Sequence, residues 1–111
     1  MTTAKQTSSN QELKKFRAIA HGLKPVVTIA QNGLSESVSK ELDRALSQHE
    51  LIKVKISAGD RTARQAIIGE ICTATGAERV QSIGNIAVLY RPARKPDPRL
   101  SNILRHGQAG S

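Results

Sequence analysis

A chain of 111 residues has room for one hydrophobic core, so a single domain carrying one site or one surface is expected. Seventeen Lys and Arg against nine Asp and Glu give a formal net charge of +8, which favours a polyanionic partner; the alternative is a basic protein merely kept soluble by its charge. No apolar run reaches membrane-span length, residues 1–10 lack the apolar core of a signal peptide, and the single cysteine, Cys72, excludes an internal disulfide and a cysteine-based zinc site. A cytoplasmic protein with no membrane partner is therefore expected.

Residues 1–10 are polar and read as a disordered tail, and the folded part is expected over 11–92. From Asn10 to His21, Leu13, Phe16, Ile19 and Ala20 recur at helical spacing, with Gly22 as the stop and Pro25 beyond it. Lys14, Arg17 and His21 fall at i, i+3, i+7 on another face, either a solvated stripe or a binding one. Val26–Ile29 is a short β-branched strand. A second helix follows, capped by Ser35, with Val38, Leu42, Ala45 and Leu46 inward.

The segment 50–57 alternates in twos, with Ile52, Val54 and Ile56 on one face and Leu51, Lys53 and Lys55 on a partly wet, positive one. Asp60 caps a third helix through Thr75, with Ala63, Ile67, Ile71 and Ala74 inward, Cys72 as a small core residue and Gly76 at its end. Runs at 78–83 and 86–91 flank Gly84-Asn85, a hairpin pair. Strands alternating with helices imply parallel crossovers, and the hairpin adds one antiparallel strand. The expected fold is α/β (α+β): an N-terminal helix, then β-α-β-α-β-β in a mixed four-stranded sheet. Residues 91–99 hold three prolines and four positive charges, so 93–111 reads as a flexible basic tail that either binds or only solubilises.

Chemistry-bearing residues are scattered. His21, His49 and His106 have no second ligand at metal spacing, and Glu41 with Asp43 reads as solubilising charge, so no catalytic residue, metal or cofactor is expected. Phe16 and Tyr90 are the only aromatics, too few to stack a splayed single strand; a nucleic-acid partner would be held by backbone and shape. In the stretch TIAQNGLSES, residues 28–37, a strand runs through a glycine turn into a helix. Its open N–H groups suit phosphate, although an Asn-Gly pair is also ordinary turn chemistry.

Three stretches, AHGLKPVVTIAQNGLS at 20–35, HELIKVKI at 49–56 and IGNIAVLYRP at 83–92, resemble the CRM (chloroplast RNA splicing and ribosome maturation) domain family in its stand-alone bacterial YhbY form. The resemblance implies a fold like the C-terminal domain of translation initiation factor 3 with an added N-terminal helix. It implies RNA binding, with 23S-type rRNA in precursors of the large ribosomal subunit as partner. It makes Ala30, Gln31, Asn32 and Gly33 a GxxG-type loop, Ala30 standing where the pattern has glycine. With Lys14, Arg17, Lys24, Lys53, Lys55 and Arg91 chosen by charge and placement, these are the expected RNA-binding residues of a monomer with no small-molecule substrate. The alternatives are a cofactor for intron RNA or tRNA, and a basic module docking an acidic protein.

Overall fold

A computed structural model describes residues 8–30, 33–57 and 59–107. Of the expectations above, the tail at 1–7, Gln31, Asn32 and residues 108–111 lie outside the described residues.

Helix α1 spans Asn10–His21. It starts where Ser9 Oγ accepts the Glu12 N–H (3.1 Å) while the Glu12 carboxylate accepts the Ser9 N–H (2.9 Å), a reciprocal cap that satisfies two otherwise orphaned donors. Strand β1 is Pro25–Ile29 and helix α2 Glu36–His49, whose first turn is held by Ser35 Oγ accepting from Val38 N–H. Strand β2 is Leu51–Ile56 and helix α3 Arg61–Thr75, with Asp60 as its cap and Gly76 turning out at φ 76°. Strands β3 (Glu78–Ile83) and β4 (Ile86–Tyr90) form the hairpin around Gly84-Asn85, and a short helix α4 covers Asn102–Gly107.

The sheet order is β1-β2-β4-β3, with β1 and β2 parallel and β4 antiparallel to both of its neighbours. One antiparallel strand in a mixed four-stranded sheet is what the element order implies; its place between β2 and β3 is set by tertiary packing. On one face, α2 and α3 close over Ile29, Ile52, Val54, Ile56, Ala87 and Leu89. On the other, α1 packs Phe16 and Ala20 against Leu51, Val80 and Val88, with Ile103 of α4 alongside. Among the described residues no helix is long and apolar enough to cross a membrane.

Three expectations need correction. The inner face of α3 is carried by Ile68 and Ile71, with Ile67 and Cys72 packed alongside, while Ala74 is exposed; the larger side chains set the helix rotation because they bury more apolar area. Leu51 is fully buried, so the wet part of its strand face begins only at Lys53. The fold also continues past residue 92. Ser101 is fully buried and donates to Glu50 Oε1 (2.6 Å), Ala93 N–H donates to Glu50 Oε2 (2.7 Å), and Asn102 Nδ2 donates to the Leu51 carbonyl (2.7 Å).

The prolines do keep residues 92–98 out of helix, but Ser101 starts a helical turn immediately beyond them, its Oγ accepting the Leu104 N–H (3.3 Å). Glu50 closes α2 at φ 62°, a positive-φ conformation that costs a non-glycine residue about 1–3 kcal/mol. The conformation places its carboxylate between two donors of the C-terminal segment. Ser101→Ala should lower unfolding free energy by about 1–3 kcal/mol, because it takes one donor from a buried carboxylate. An unchanged midpoint and slope in urea would mean that the segment is not docked in solution.

Candidate nucleic-acid interface

Helix α1 covers only part of its sheet face, leaving a groove of about 760 Å³ between helix and strands. Its helical wall is the basic stripe, Lys14, Arg17 and His21, with Ala18 between them. Its floor is Lys53 of β2 with Gln81, Ile83, Ile86 and Val88 of the hairpin. The stripe faces the groove because Phe16 and Ala20, offset around the same helix, are the residues buried under it. Lys55 lies two residues beyond Lys53 on the same sheet face, opposite Ile86, and is exposed.

Among the described residues no carboxylate lines the groove. Among the described residues the ion pairs are Arg91 with Asp43 and Arg99 with Asp97, so Lys14, Arg17 and Lys53 keep their charge for an external anion. Three like charges without counter-ions, Arg17 and Lys53 half-buried, raise the local positive potential beyond what scattered surface lysines give.

The loop that leads into α2 lies at one end of the same sheet. Since β1 and β2 are parallel and β4 is antiparallel to β2, the β1–α2 loop, the β2–α3 connection and the 84–85 turn emerge at one end of the sheet. Ser57 N–H donates to the Ile29 carbonyl (2.8 Å) and Ile56 N–H to the Asn85 carbonyl (2.7 Å), tying the three together. Arg64 adds a bridge, donating from Nε to the Gly84 carbonyl (3.1 Å) and from Nη1 to the Gly59 carbonyl (3.0 Å).

In the loop, Gly33 N–H donates to the Ala30 carbonyl (2.9 Å), and Gly33 sits at φ 75°. A Cβ placed there would meet nothing within 4 Å, so glycine is favoured by conformation and not by lack of space. Among the described residues Glu50 is the one non-glycine with positive φ, so Ala30 is accommodated without strain.

The structure thus brings Lys14, Arg17 and Lys53 into one groove with Lys55 beside them, and sets Ala30 and Gly33 at the loop. Lys24 is exposed in the link between α1 and β1 and does not line the groove. Arg91 stands apart from these, its guanidinium engaged within the fold. Nη1 donates to Asp43 Oδ1 (2.8 Å) and the Thr75 carbonyl (2.9 Å), and Nη2 to the Asp43 carbonyl (3.0 Å) and Ser47 Oγ (2.8 Å). It fastens the end of β4 to α2 and α3, away from the groove.

Among the groove residues absent from the expected set are His21, Gln81, Ile83 and Ile86. His21 already stands in the stripe. Gln81 and Ile83 reach this face because a bulge between Arg79 and Gln81 resets the alternation of β3, which no local pattern announces.

Phe16 and Tyr90 stack on each other beneath α1, ring centroids 4.4 Å apart, and neither lines the groove. Burial raises the Tyr90 hydroxyl pKa, with smaller contributions from Glu50, Glu12 and Glu78. Among the described residues no cluster of three or more His, Cys, Asp or Glu could hold a metal ion.

Residues 9–91 match the family model described as the CRS1 / YhbY (CRM) domain. A Pseudomonas aeruginosa protein named "probable RNA-binding protein" is 47% identical over 97 residues, covering 87% of this chain and 93% of that protein. A Haemophilus influenzae protein named "RNA-binding protein" is 46% identical over 89 residues, 80% and 90% of the two lengths. The solution structure of a Staphylococcus aureus protein aligns with a TM-score of 0.71 and 28% identity, covering 80% of this chain and 93% of that one.

Proposed function

Because this chain belongs to the CRS1 / YhbY (CRM) domain family, we propose that it is a non-enzymatic RNA-binding protein whose ligand is held at the groove beside α1 and at the loop that carries Ala30 and Gly33. The observation that carries this reading is the groove's charge: Lys14, Arg17 and Lys53 line it with no carboxylate among them. The names of the relatives from Pseudomonas aeruginosa and Haemophilus influenzae support RNA as the polyanion.

Chemically, the arrangement neutralises phosphates and releases their counter-ions, which favours association without any bond being made or broken. The partner we propose is 23S-type rRNA in a precursor of the large ribosomal subunit, bound by a cytoplasmic monomer during assembly. The likeness to bacterial relatives of this family supports this choice over intron RNA or tRNA. In a sucrose gradient of cell extract, the protein should comigrate with a particle lighter than the mature large subunit and be absent from mature ribosomes. Sedimentation only with tRNA-sized or messenger-sized RNA would overturn the assembly reading.

A further inference from the structure

Phosphate contacts leave one feature of the groove without a use. Ile83 is 65% exposed, more than any other large apolar side chain of the described residues, and it faces Ile86 across the hairpin on the groove floor. Single exposed aliphatics are common on protein surfaces. This one, however, extends an apolar floor directly beneath three cations that lack counter-ions. An intact duplex offers phosphates and sugars and keeps its bases stacked inside, so docking it here would leave the aliphatic floor without an apolar partner.

Resting on the RNA-binding reading above, we propose that the groove holds an unpaired nucleotide of a structured RNA. Its base face lies on Ile83 and Ile86, and Lys14, Arg17 and Lys53 meet the flanking phosphates. The groove volume of about 760 Å³ fits a nucleotide-sized ligand. An aliphatic floor beside a guanidinium suits a base face without an aromatic ring, and the Gln81 amide supplies one donor group and one acceptor for a base edge. Ile83 is then a specificity-determining residue, selecting bulged or looped RNA over uninterrupted duplex.

The test uses the full chain and two RNA hairpins of equal length and charge, one with an unpaired bulge and one fully paired, with affinity read by fluorescence anisotropy. The wild type should bind the bulged hairpin about tenfold more tightly, and Ile83→Ser should bring that ratio to within about twofold. Ile83→Leu, which keeps the aliphatic surface, should preserve the ratio, and thermal melting checks that both variants fold. Equal wild-type affinity for the two hairpins, or a preference that survives in Ile83→Ser, overturns the nucleotide site while leaving RNA binding intact. Binding to neither hairpin overturns both.

Discussion

Replacing Lys14, Arg17 and Lys53 together with glutamine should weaken binding to an rRNA fragment by about a hundredfold at moderate salt. Each cation that meets a phosphate releases condensed counter-ions, so the logarithm of affinity should fall with the logarithm of salt at about 0.7 per contact for single strands. Removing three contacts should therefore flatten the salt dependence by roughly two units as well as lowering affinity. The fold should survive, because Lys14 is exposed and none of the three takes part in an ion pair among the described residues.

The control is a second variant with the same loss of charge elsewhere, at Lys40, Arg44 and Arg94, all exposed and outside the groove. If net charge alone governs association, the two variants lose affinity equally. If the groove is the site, the control keeps most of its affinity and a steeper salt dependence. Equal losses would remove the groove from the account.

The second large effect is expected at Gly33. Gly33→Val forces a β-branched residue into φ 75°, at a cost of about 1–3 kcal/mol if the loop keeps its shape. Because a Cβ there meets open space, no clash unfolds the domain; the loop relaxes instead, breaking the turn closed by Gly33 N–H and the Ala30 carbonyl. RNA affinity should fall about tenfold while the melting transition stays cooperative.

Gly33→Asn separates two causes. Asparagine tolerates a left-handed backbone, so it should retain most of the affinity if shape is what the loop contributes. If asparagine fails as badly as valine, the missing Cβ itself matters, through close approach of the RNA backbone. Full affinity in the folded valine variant would show that the loop is not a contact. Ala30→Gly should be nearly neutral, since alanine is unstrained there.

Much of this site was legible because its determinants are local. The i, i+3, i+7 spacing put Lys14, Arg17 and His21 on one stripe before any partner was known, and alternation put Lys53 and Lys55 on one strand face. Serine and aspartate caps marked the starts of α2 and α3 for the same reason. What escaped depends on residues far apart in the chain. Arg91 looks like the first charge of a basic arm until Asp43 and Ser47 of α2 and the carbonyl of Thr75 converge on it.

The C-terminal segment is similar. Its prolines announce where helix is impossible, but the partners of Ser101 and Asn102, the Glu50 carboxylate and the Leu51 carbonyl, lie 51 residues away in the chain. The insertion of β4 between β2 and β3 and the bulge beside Val80 likewise arise from packing, and together they bring Gln81, Ile83 and Ile86 to the groove.

The most direct measurement is a map of backbone amide chemical-shift changes as an rRNA fragment is titrated into the labelled protein. If the groove and the loop are the site, changes should concentrate on α1 from Lys14 to His21, on Lys53 and Lys55, and around Gly33, with the α2 surface at Lys40 and Arg44 silent. Changes centred on Lys40 and Arg44, with α1 and Lys53 unmoved, would contradict that placement.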